Sequence, residues 1–247
     1  MRKMIPRRLR RQLRGRVWLA ALAVGLVGGL GWWAPQSGGI LENRSPTVAV
    51  EQHQPQELTE LLASVQVIDA LPEVQGYQRG CGRDEACVFG AAWNDPNDHS
   101  GCDTRSRILR DQLSDVVIKP GTNGCKVLAG RFSDPYTGQV MEYSRGESSN
   151  VNVDHIFSLS RAWDSGAWSW PLELRVQFAN DPDNLLVVSA SANREKSDAG
   201  LEWLPDNPYF RCTFVSRYLS IAVKYSLPIT LNDHATAETA CPSVVSA

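Results

Sequence analysis

With 247 residues, 43% of them hydrophobic and 21% charged, the chain has the composition of a globular protein, which excludes an intrinsically disordered one. Its length allows one good hydrophobic core, or a modest core with an appendage. The net charge of −2 hides a division: eight of the 25 basic residues lie in the first sixteen positions, and the remainder carries 17 basic against 27 acidic side chains. Such an acidic body argues against tight, unspecific nucleic-acid binding, so a local basic patch or a bound metal would have to attract any polyphosphate.

The N-terminal segment has the pattern of an export signal. Its basic residues are followed by Val17–Trp33, seventeen residues without a charge. This stretch is long for a cleaved signal and short for a relaxed membrane span, and no small-x-small cleavage site is evident. Residues 1–34 are therefore predicted to be a signal peptide or an N-terminal membrane anchor. The basic end should stay in the cytoplasm, which predicts an extracytoplasmic protein, either secreted or anchored to the membrane by this segment.

Residues 35–56 are rich in Pro, Gly, Ser, Gln and Asn and predict a linker. No second linker follows, so one domain is predicted over residues 57–247. In Glu57–Leu71 the apolar side chains recur at intervals of three and four residues, which predicts an amphipathic helix that Pro72 ends.

Short elements are predicted beyond this helix, separated by turn sequences such as Asp134-Pro135-Tyr136-Thr137-Gly138. The predicted helices are Thr104–Leu113 and Phe214–Tyr225. The predicted strands are Val116–Ile118, Val127–Leu128, Gln139–Tyr143 and Val151–Ser158. Short strands surrounded by helices predict an α+β architecture.

Six cysteines lie beyond the export segment, and an even count in an exported chain indicates disulfide bonds. A structural zinc site is poorly supported, because there is no Cys-x-x-Cys pair and the chain has four histidines. Six cysteines allow fifteen pairings, among which the sequence alone does not choose. A preference for neighbours favours Cys81–Cys87, Cys102–Cys125 and Cys212–Cys241.

Side chains suited to phosphodiester hydrolysis are concentrated after residue 151. Asp154 and His155 lie near the end of a predicted strand, Asn184 follows after a loop, and Asn193 and Lys196 follow at helical spacing. Carboxylate and amide oxygens are ligands for a hard divalent cation, which stabilises charge on a phosphate. A neutral imidazole can take a proton from an attacking water.

The geometry of this cluster is plausible with one condition. Adjacent strand residues point to opposite faces, so Asp154 and His155 reach one site only if the strand bends at its end. Asn193 and Lys196 share one face of a helix that Ser189 or Ser191 could cap.

The order Asp-His, then Asn, then nine residues later Asn-x-x-Lys resembles the ββα-metal core of HNH endonucleases. It is similar to the variant in which asparagine replaces the last histidine, as in the HNH domain of CRISPR effector nucleases. From about Leu58 to Cys241 the chain also resembles a group of exported bacterial HNH proteins. The matching pieces are Phe89-Gly90-x-x-Trp93, Gly101-Cys102-Asp103-Thr104-Arg105, Asp134-Pro135-Tyr136-Thr137-Gly138, Ala162-Trp163, Gly166-Ala167 and Trp203-Leu204-Pro205.

The resemblance implies an α+β fold in which a ββα-metal core is embedded in a small, disulfide-stapled domain. It implies that His155 is the general base and that Asn184 braces the loop and holds His155 in orientation. Asp154 and Asn193 would bind a single Mg²⁺ or Mn²⁺ ion. Taken alone, Asp154 and His155 could be a hydrogen-bonded structural pair, but the complete ordered set outweighs that interpretation.

Two cations are implied as substrate-binding residues. Lys196 would contact phosphate, although a solvated lysine is equally common at such a helix position. Arg105 is a weaker candidate for the same contact and is more often the partner of an acidic side chain.

The sequence therefore predicts a metal-dependent endonuclease that hydrolyses phosphodiester bonds of nucleic acid, DNA favoured over RNA, outside the cytoplasm. Its partners would be that nucleic acid and, if the N-terminal segment is uncleaved, the membrane. The alternative is a non-catalytic cell-surface binding or scaffold protein that retains the HNH fold. A weaker third hypothesis is a hydrolase of another phosphate ester or of a cell-wall polymer, but sugar-polymer hydrolysis requires a carboxylate pair that is not evident.

Overall fold

The computed structural model describes residues 55–146 and 150–241, so the predicted export segment and nearly all of the predicted linker lie outside the described residues. No helix within these two ranges is long and apolar enough to span a membrane. The helices are α1 (Pro55–Ser64), α2 (Thr104–Gln112), α3 (Leu159–Asp164), α4 (Leu172–Ala179), α5 (Ala190–Lys196), α6 (Arg211–Lys224) and α7 (Leu231–Ala240). The strands are β1 (Val67–Ile68), β2 (Ser114–Ile118), β3 (Val127–Ser133), β4 (Val140–Ser144), β5 (Val151–His155), β6 (Leu185–Ser189) and β7 (Ile229–Thr230).

A ββα unit lies at the centre of the fold. Strands β5 and β6 pair antiparallel, with Asp154 opposite Leu186 and His155 opposite Leu185. Strand β6 runs directly into α5, and the Ser189 side chain caps this helix by accepting a hydrogen bond from the Ala192 amide at 3.2 Å. The predicted cap at Ser189 is confirmed, and the ββα order β5–β6–α5 is that of the predicted core.

Strand β6 separates two hydrophobic clusters, so both of its faces are buried. Leu186 and Val188 belong to the larger cluster, which contains most of the aromatic core, whereas Leu185 and Val187 belong to the smaller one. Burial on both faces removes the alternation of apolar and polar residues that identifies a strand in sequence. This strand was consequently not predicted.

Two further sheets complete the architecture. Strands β2, β3 and β4 form an antiparallel sheet, and β1 pairs in parallel with β7. The helix predicted over Glu57–Leu71 is too long, because α1 ends at Ser64. Val67 and Ile68 instead pair with β7, because β-branched side chains and a partner strand outweigh the local helical periodicity.

The strand predicted over Val151–Ser158 is also too long. It ends at His155, because Ser158 caps α3 by accepting a hydrogen bond from the Arg161 amide at 3.2 Å. The predicted helices over Thr104–Leu113 and Phe214–Tyr225 are confirmed as α2 and α6, with ends that differ by up to three residues.

All three predicted disulfide bonds are confirmed: Cys81–Cys87, Cys102–Cys125 and Cys212–Cys241. They leave no free cysteine. Together with the mixed helices and small sheets, they make this part of the chain a small, disulfide-stabilised α+β domain, as predicted.

Candidate active site

His155 is the last residue of β5, and its ring is held in one tautomer. Its Nε2 atom lies 2.9 Å from the carbonyl oxygen of Ala179. A carbonyl only accepts hydrogen bonds, so in the neutral ring Nε2 carries the proton and Nδ1 carries the lone pair. Burial lowers the pKa of His155 from 6.5 to about 4, although the bond to Ala179 and the charge of Asp154 act in the opposite direction. The ring is therefore neutral near pH 7 and can accept a proton at Nδ1.

The indole of Trp93 stacks on the His155 ring, with ring centroids 5.8 Å apart and planes within 9°. Trp93 has a φ of 62°, a left-handed conformation that is costly for a bulky side chain. Two hydrogen bonds hold this segment: the Trp93 carbonyl accepts from the Thr104 amide, and the Asn94 carbonyl accepts from the Asn180 side chain. Stacking and the bond to Ala179 together fix the plane of the imidazole.

Asn184 joins the two strands of the ββα unit. It is fully buried, its Oδ1 accepts from the Phe157 amide at 2.8 Å, and its Nδ2 donates to the Phe157 carbonyl at 3.1 Å. Its own carbonyl accepts from the Ile156 amide at 2.9 Å. These contacts fix the chain directly after His155. They are what the predicted bracing role requires, while its consequence for catalysis stays a prediction.

Asp154 leaves β5 on the other side from His155. Its Oδ2 accepts a 2.7 Å hydrogen bond from the hydroxyl of Tyr136, which belongs to the larger cluster, whereas Trp93 packs against the smaller one. The alternation expected of a strand is therefore present, and no bend brings the two side chains onto one face. Burial raises the pKa of Tyr136 well above its ordinary value, and the Asp154 charge adds to this, so Tyr136 remains a hydrogen-bond donor.

The position of Lys196 argues against the phosphate contact predicted for it. Its side chain is fully buried, and its ammonium group lies 3.0 Å from Oδ2 of Asp154 and 2.9 Å from the His155 carbonyl oxygen. A cation with no exposed surface and two intramolecular partners does not contact a substrate in this conformation. The ammonium group instead ties the end of α5 to the end of β5.

Arg105, the second predicted phosphate ligand, lies on α2 with its guanidinium 5.9 Å from the centroid of the Tyr143 ring. Within residues 55–146 and 150–241 it forms no ion pair with an acidic side chain, so the expected ion pair is not observed there. No contact links Arg105 to His155 in the described parts of the chain.

Asn193 lies half-buried on α5, three residues before Lys196 and therefore near the helix face that Lys196 turns towards β5. Its side-chain amide forms no hydrogen bond within the described ranges, so its oxygen is available. Asp154 has accepted two hydrogen-bond donors, and a carboxylate has room for more. The described residues contain no group of three or more His, Cys, Asp or Glu side chains able to hold a metal. A cation here would depend on the carboxylate, the amide and water, which fits Mg²⁺ or Mn²⁺ rather than zinc.

Sequence reasoning missed three residues of this site. Trp93 and Tyr136 lie inside motifs that carried the resemblance, yet nothing in their spacing showed what they contact. Arg79, whose charge contributes to the low pKa of His155, had no sequence signal at all.

Residues 103–235 match the family described as GmrSD restriction endonucleases, C-terminal domain. The chain belongs to this family. It is an HNH-type endonuclease family, in agreement with the predicted resemblance, while the bacterial source stays a prediction. The matched range contains Tyr136, His155 and Asn193 but begins after Trp93.

The chain is also similar to an uncharacterized secreted protein of Arthroderma benhamiae, with 33% identity over 132 residues. This alignment covers 52% of the chain and 61% of the relative, so the chain spans about three fifths of that protein's length. No solved structure matches the chain.

Proposed function

We propose that this protein is a divalent-metal-dependent endonuclease that hydrolyses phosphodiester bonds of nucleic acid, DNA in preference to RNA, outside the cytoplasm. One observation carries the proposal: the His155 imidazole is held neutral, with its protonated Nε2 bonded to Ala179 and its Nδ1 available as a base. Membership of an HNH-type endonuclease family supports the reaction class.

In the proposed reaction, Nδ1 of His155 accepts a proton from a water molecule as the water oxygen attacks phosphorus in line with the leaving oxygen. The Ala179 carbonyl stabilises the imidazolium that forms, because it continues to accept the Nε2 hydrogen bond. Trp93 and Asn184 keep the ring and the strand end in place, so little reorganisation is needed during the step.

Asp154 and Asn193 would hold the Mg²⁺ or Mn²⁺ ion. When bound, the cation stabilises negative charge on the phosphate and the leaving oxygen. Because Asp154 and His155 leave opposite sides of β5, the scissile phosphate would lie across the end of that strand.

The proposed location rests on two observations. Three disulfide bonds in a domain of this size require an oxidising compartment, which the cytoplasm is not. The Arthroderma benhamiae relative is described as secreted. The N-terminal segment would act as the export signal or as a membrane anchor.

The alternative, a non-catalytic binding or scaffold protein, is favoured by one feature of the site. Asp154 already pairs with the Lys196 ammonium group, as expected of a carboxylate that no longer binds a metal. The low pKa of His155 and its strained neighbour Trp93 favour the enzyme, because such features cluster at functional sites.

Cleavage of plasmid DNA by the purified, oxidised protein tests the proposal. We expect cleavage with Mg²⁺ or Mn²⁺, none with EDTA, and a loss of about 100-fold or more in His155→Ala. His99→Ala is the matched control, because His99 is exposed, and it should cleave like wild type. If folded protein cuts neither DNA nor RNA, the scaffold alternative holds; if His155→Ala still cuts, His155 is not the base.

A further inference from the structure

Arg79 is a half-buried cation without an acidic partner in the described parts of the chain. Its Nη1 donates a 3.0 Å hydrogen bond to the carbonyl of Gly90, which is a neutral acceptor. Burial lowers the pKa of the Arg79 guanidinium. A desolvated charge without a counter-charge costs free energy, and an anionic ligand would offset that cost.

The loop that carries Arg79 is closed and connected to the active site. The Val88 amide donates to the Gln78 carbonyl, the Cys87 amide donates to the Gly80 carbonyl, and the Cys81–Cys87 disulfide links the two sides. Gly90, which holds the guanidinium, lies three residues before Trp93, the residue stacked on His155.

Three other cations with little exposed surface already have acidic partners. Lys196 is buried against Asp154, and Arg107 pairs with Asp95 and Asp98. Arg161 pairs with Asp233 on another part of the fold. Arg79 differs from these three cations because, within the described residues, its guanidinium donates to a backbone carbonyl and not to a carboxylate.

We propose that Arg79 binds a phosphodiester group of the nucleic-acid strand whose cleavage His155 catalyses. This inference rests on the proposed function and names a phosphate contact that Lys196 does not provide. A guanidinium has several parallel donors that match phosphate oxygens, and one is already fixed by Gly90. The contact supplies local attraction for a polyanion on a body that is otherwise acidic.

Binding and cleavage are measured separately to test Arg79. Binding of a fluorescently labelled DNA oligonucleotide is followed by anisotropy on the His155→Ala background, over a range of salt concentrations. We expect Arg79→Gln to weaken binding about 10-fold or more and to reduce the slope of log affinity against log salt by about 0.7–0.9. With His155 restored, kcat/KM should fall about 10- to 100-fold.

Arg83→Gln is the matched control, because it removes the same charge from an exposed position of the same loop. It should change affinity and kcat/KM less than about twofold, as expected for a solvated surface charge. Arg79→Lys retains a positive charge that can donate to the Gly90 carbonyl. This variant replaces Arg79→Gln in the test if the glutamine variant has a lower melting temperature. It should keep the salt slope but lose several-fold in kcat/KM, because one ammonium replaces a planar fork.

The two proposals fail in different ways. If wild type cleaves and folded Arg79→Gln matches it in affinity, salt slope and kcat/KM, the Arg79 contact is wrong and the endonuclease stands. An unchanged kcat/KM in Arg79→Lys would likewise overturn the contact. If wild type binds DNA without cleaving it, the endonuclease is wrong, and the salt slope of Arg79→Gln still decides the contact. If wild type neither binds nor cleaves, both are overturned.

Discussion

Two buried ion pairs of this protein, Arg161–Asp233 and Lys196–Asp154, differ in how many hydrogen bonds their carboxylates accept. Asp233 is fully buried and accepts hydrogen bonds from Arg161 at 2.5 Å, from the Leu201 amide and from both the amide and the hydroxyl of Thr230. Asp154 retains 7% exposure and, among the described residues, accepts hydrogen bonds from Tyr136 and Lys196 alone.

The difference separates a structural carboxylate, Asp233, from the carboxylate proposed to bind a metal, Asp154. Asp233 accepts from four donors, three at Oδ2 and one at Oδ1, and completes a capping box with Thr230 at the start of α7. Asp154 has unused acceptor capacity and lies near the end of β5, on the other side of the strand from the His155 ring. Saturation, rather than burial or charge pairing, is what distinguishes the two sites.

Replacing the cation of each pair should give the largest difference in metal response between the two carboxylates. Lys196→Met and Arg161→Met each leave a buried carboxylate unpaired and should lower the free energy of unfolding by about 3–5 kcal/mol in EDTA. Mg²⁺ or Mn²⁺ should recover part of this loss in Lys196→Met alone, because Asp154 is the proposed metal ligand and Asp233 is not. Melting temperatures with EDTA and with each metal measure the effect.

If the metals raise the melting temperatures of the two variants equally, or raise neither, Asp154 binds a metal ion no better than Asp233. The metal site of the proposed function would then be wrong, whatever the outcome of the cleavage assay.

Acid should destabilise the two regions in different pH ranges. The pKa of His155 is about 4 when folded and about 6.5 when unfolded, so the folded protein binds fewer protons between these values. Stability from the neutral ring is complete above pH 6.5 and is lost as the pH falls, with about 3 kcal/mol lost by pH 4. Although burial alone would raise it, the charge of Arg161 and hydrogen bonds from Thr230 and Leu201 hold the pKa of Asp233 below 3.8, so its contribution is lost only at lower pH.

Chemical denaturation of metal-free protein between pH 7 and pH 4, compared with His155→Gln, measures this difference. The glutamine variant should lose about 3 kcal/mol less than wild type over that range. Parallel losses in the two proteins would mean that the imidazole is not desolvated.

The smallest expected effects come from the two tyrosines that support these pairs. The Tyr136 hydroxyl donates to Asp154, and the Tyr218 hydroxyl accepts from Arg161 at 2.7 Å. Replacing either with phenylalanine should cost about 1–3 kcal/mol of stability, because a charged group loses a hydrogen bond.

The readout that separates the tyrosine variants is the metal concentration for half-maximal cleavage. Tyr136→Phe should shift it several-fold, since a donor to the proposed metal ligand is lost, and Tyr218→Phe should leave it unchanged. A shift in both variants would point to a general loosening of the fold instead.

Local patterns in the chain predicted several features correctly. Helices α2 and α6 follow from apolar spacing, and the cap of α5 follows from Ser189. The ββα unit was implied by the resemblance that the order Asp154–His155–Asn184–Asn193 carries. Neighbouring cysteines pair because loop closure costs least entropy over short separations, so chain proximity sufficed for Cys81–Cys87 and its two counterparts.

Only the tertiary structure decided which side chains meet. Strand β6 lacks the alternation of apolar and polar residues that predicts a strand, because it is buried on both faces. Strand β1 forms only because β7 lies beside it. The partners of Lys196 and the stacking of Trp93 on His155 depend on contacts between residues far apart in the chain. Residue types and local spacing determine what chemistry is available, whereas burial and long-range packing determine which groups remain open to a ligand.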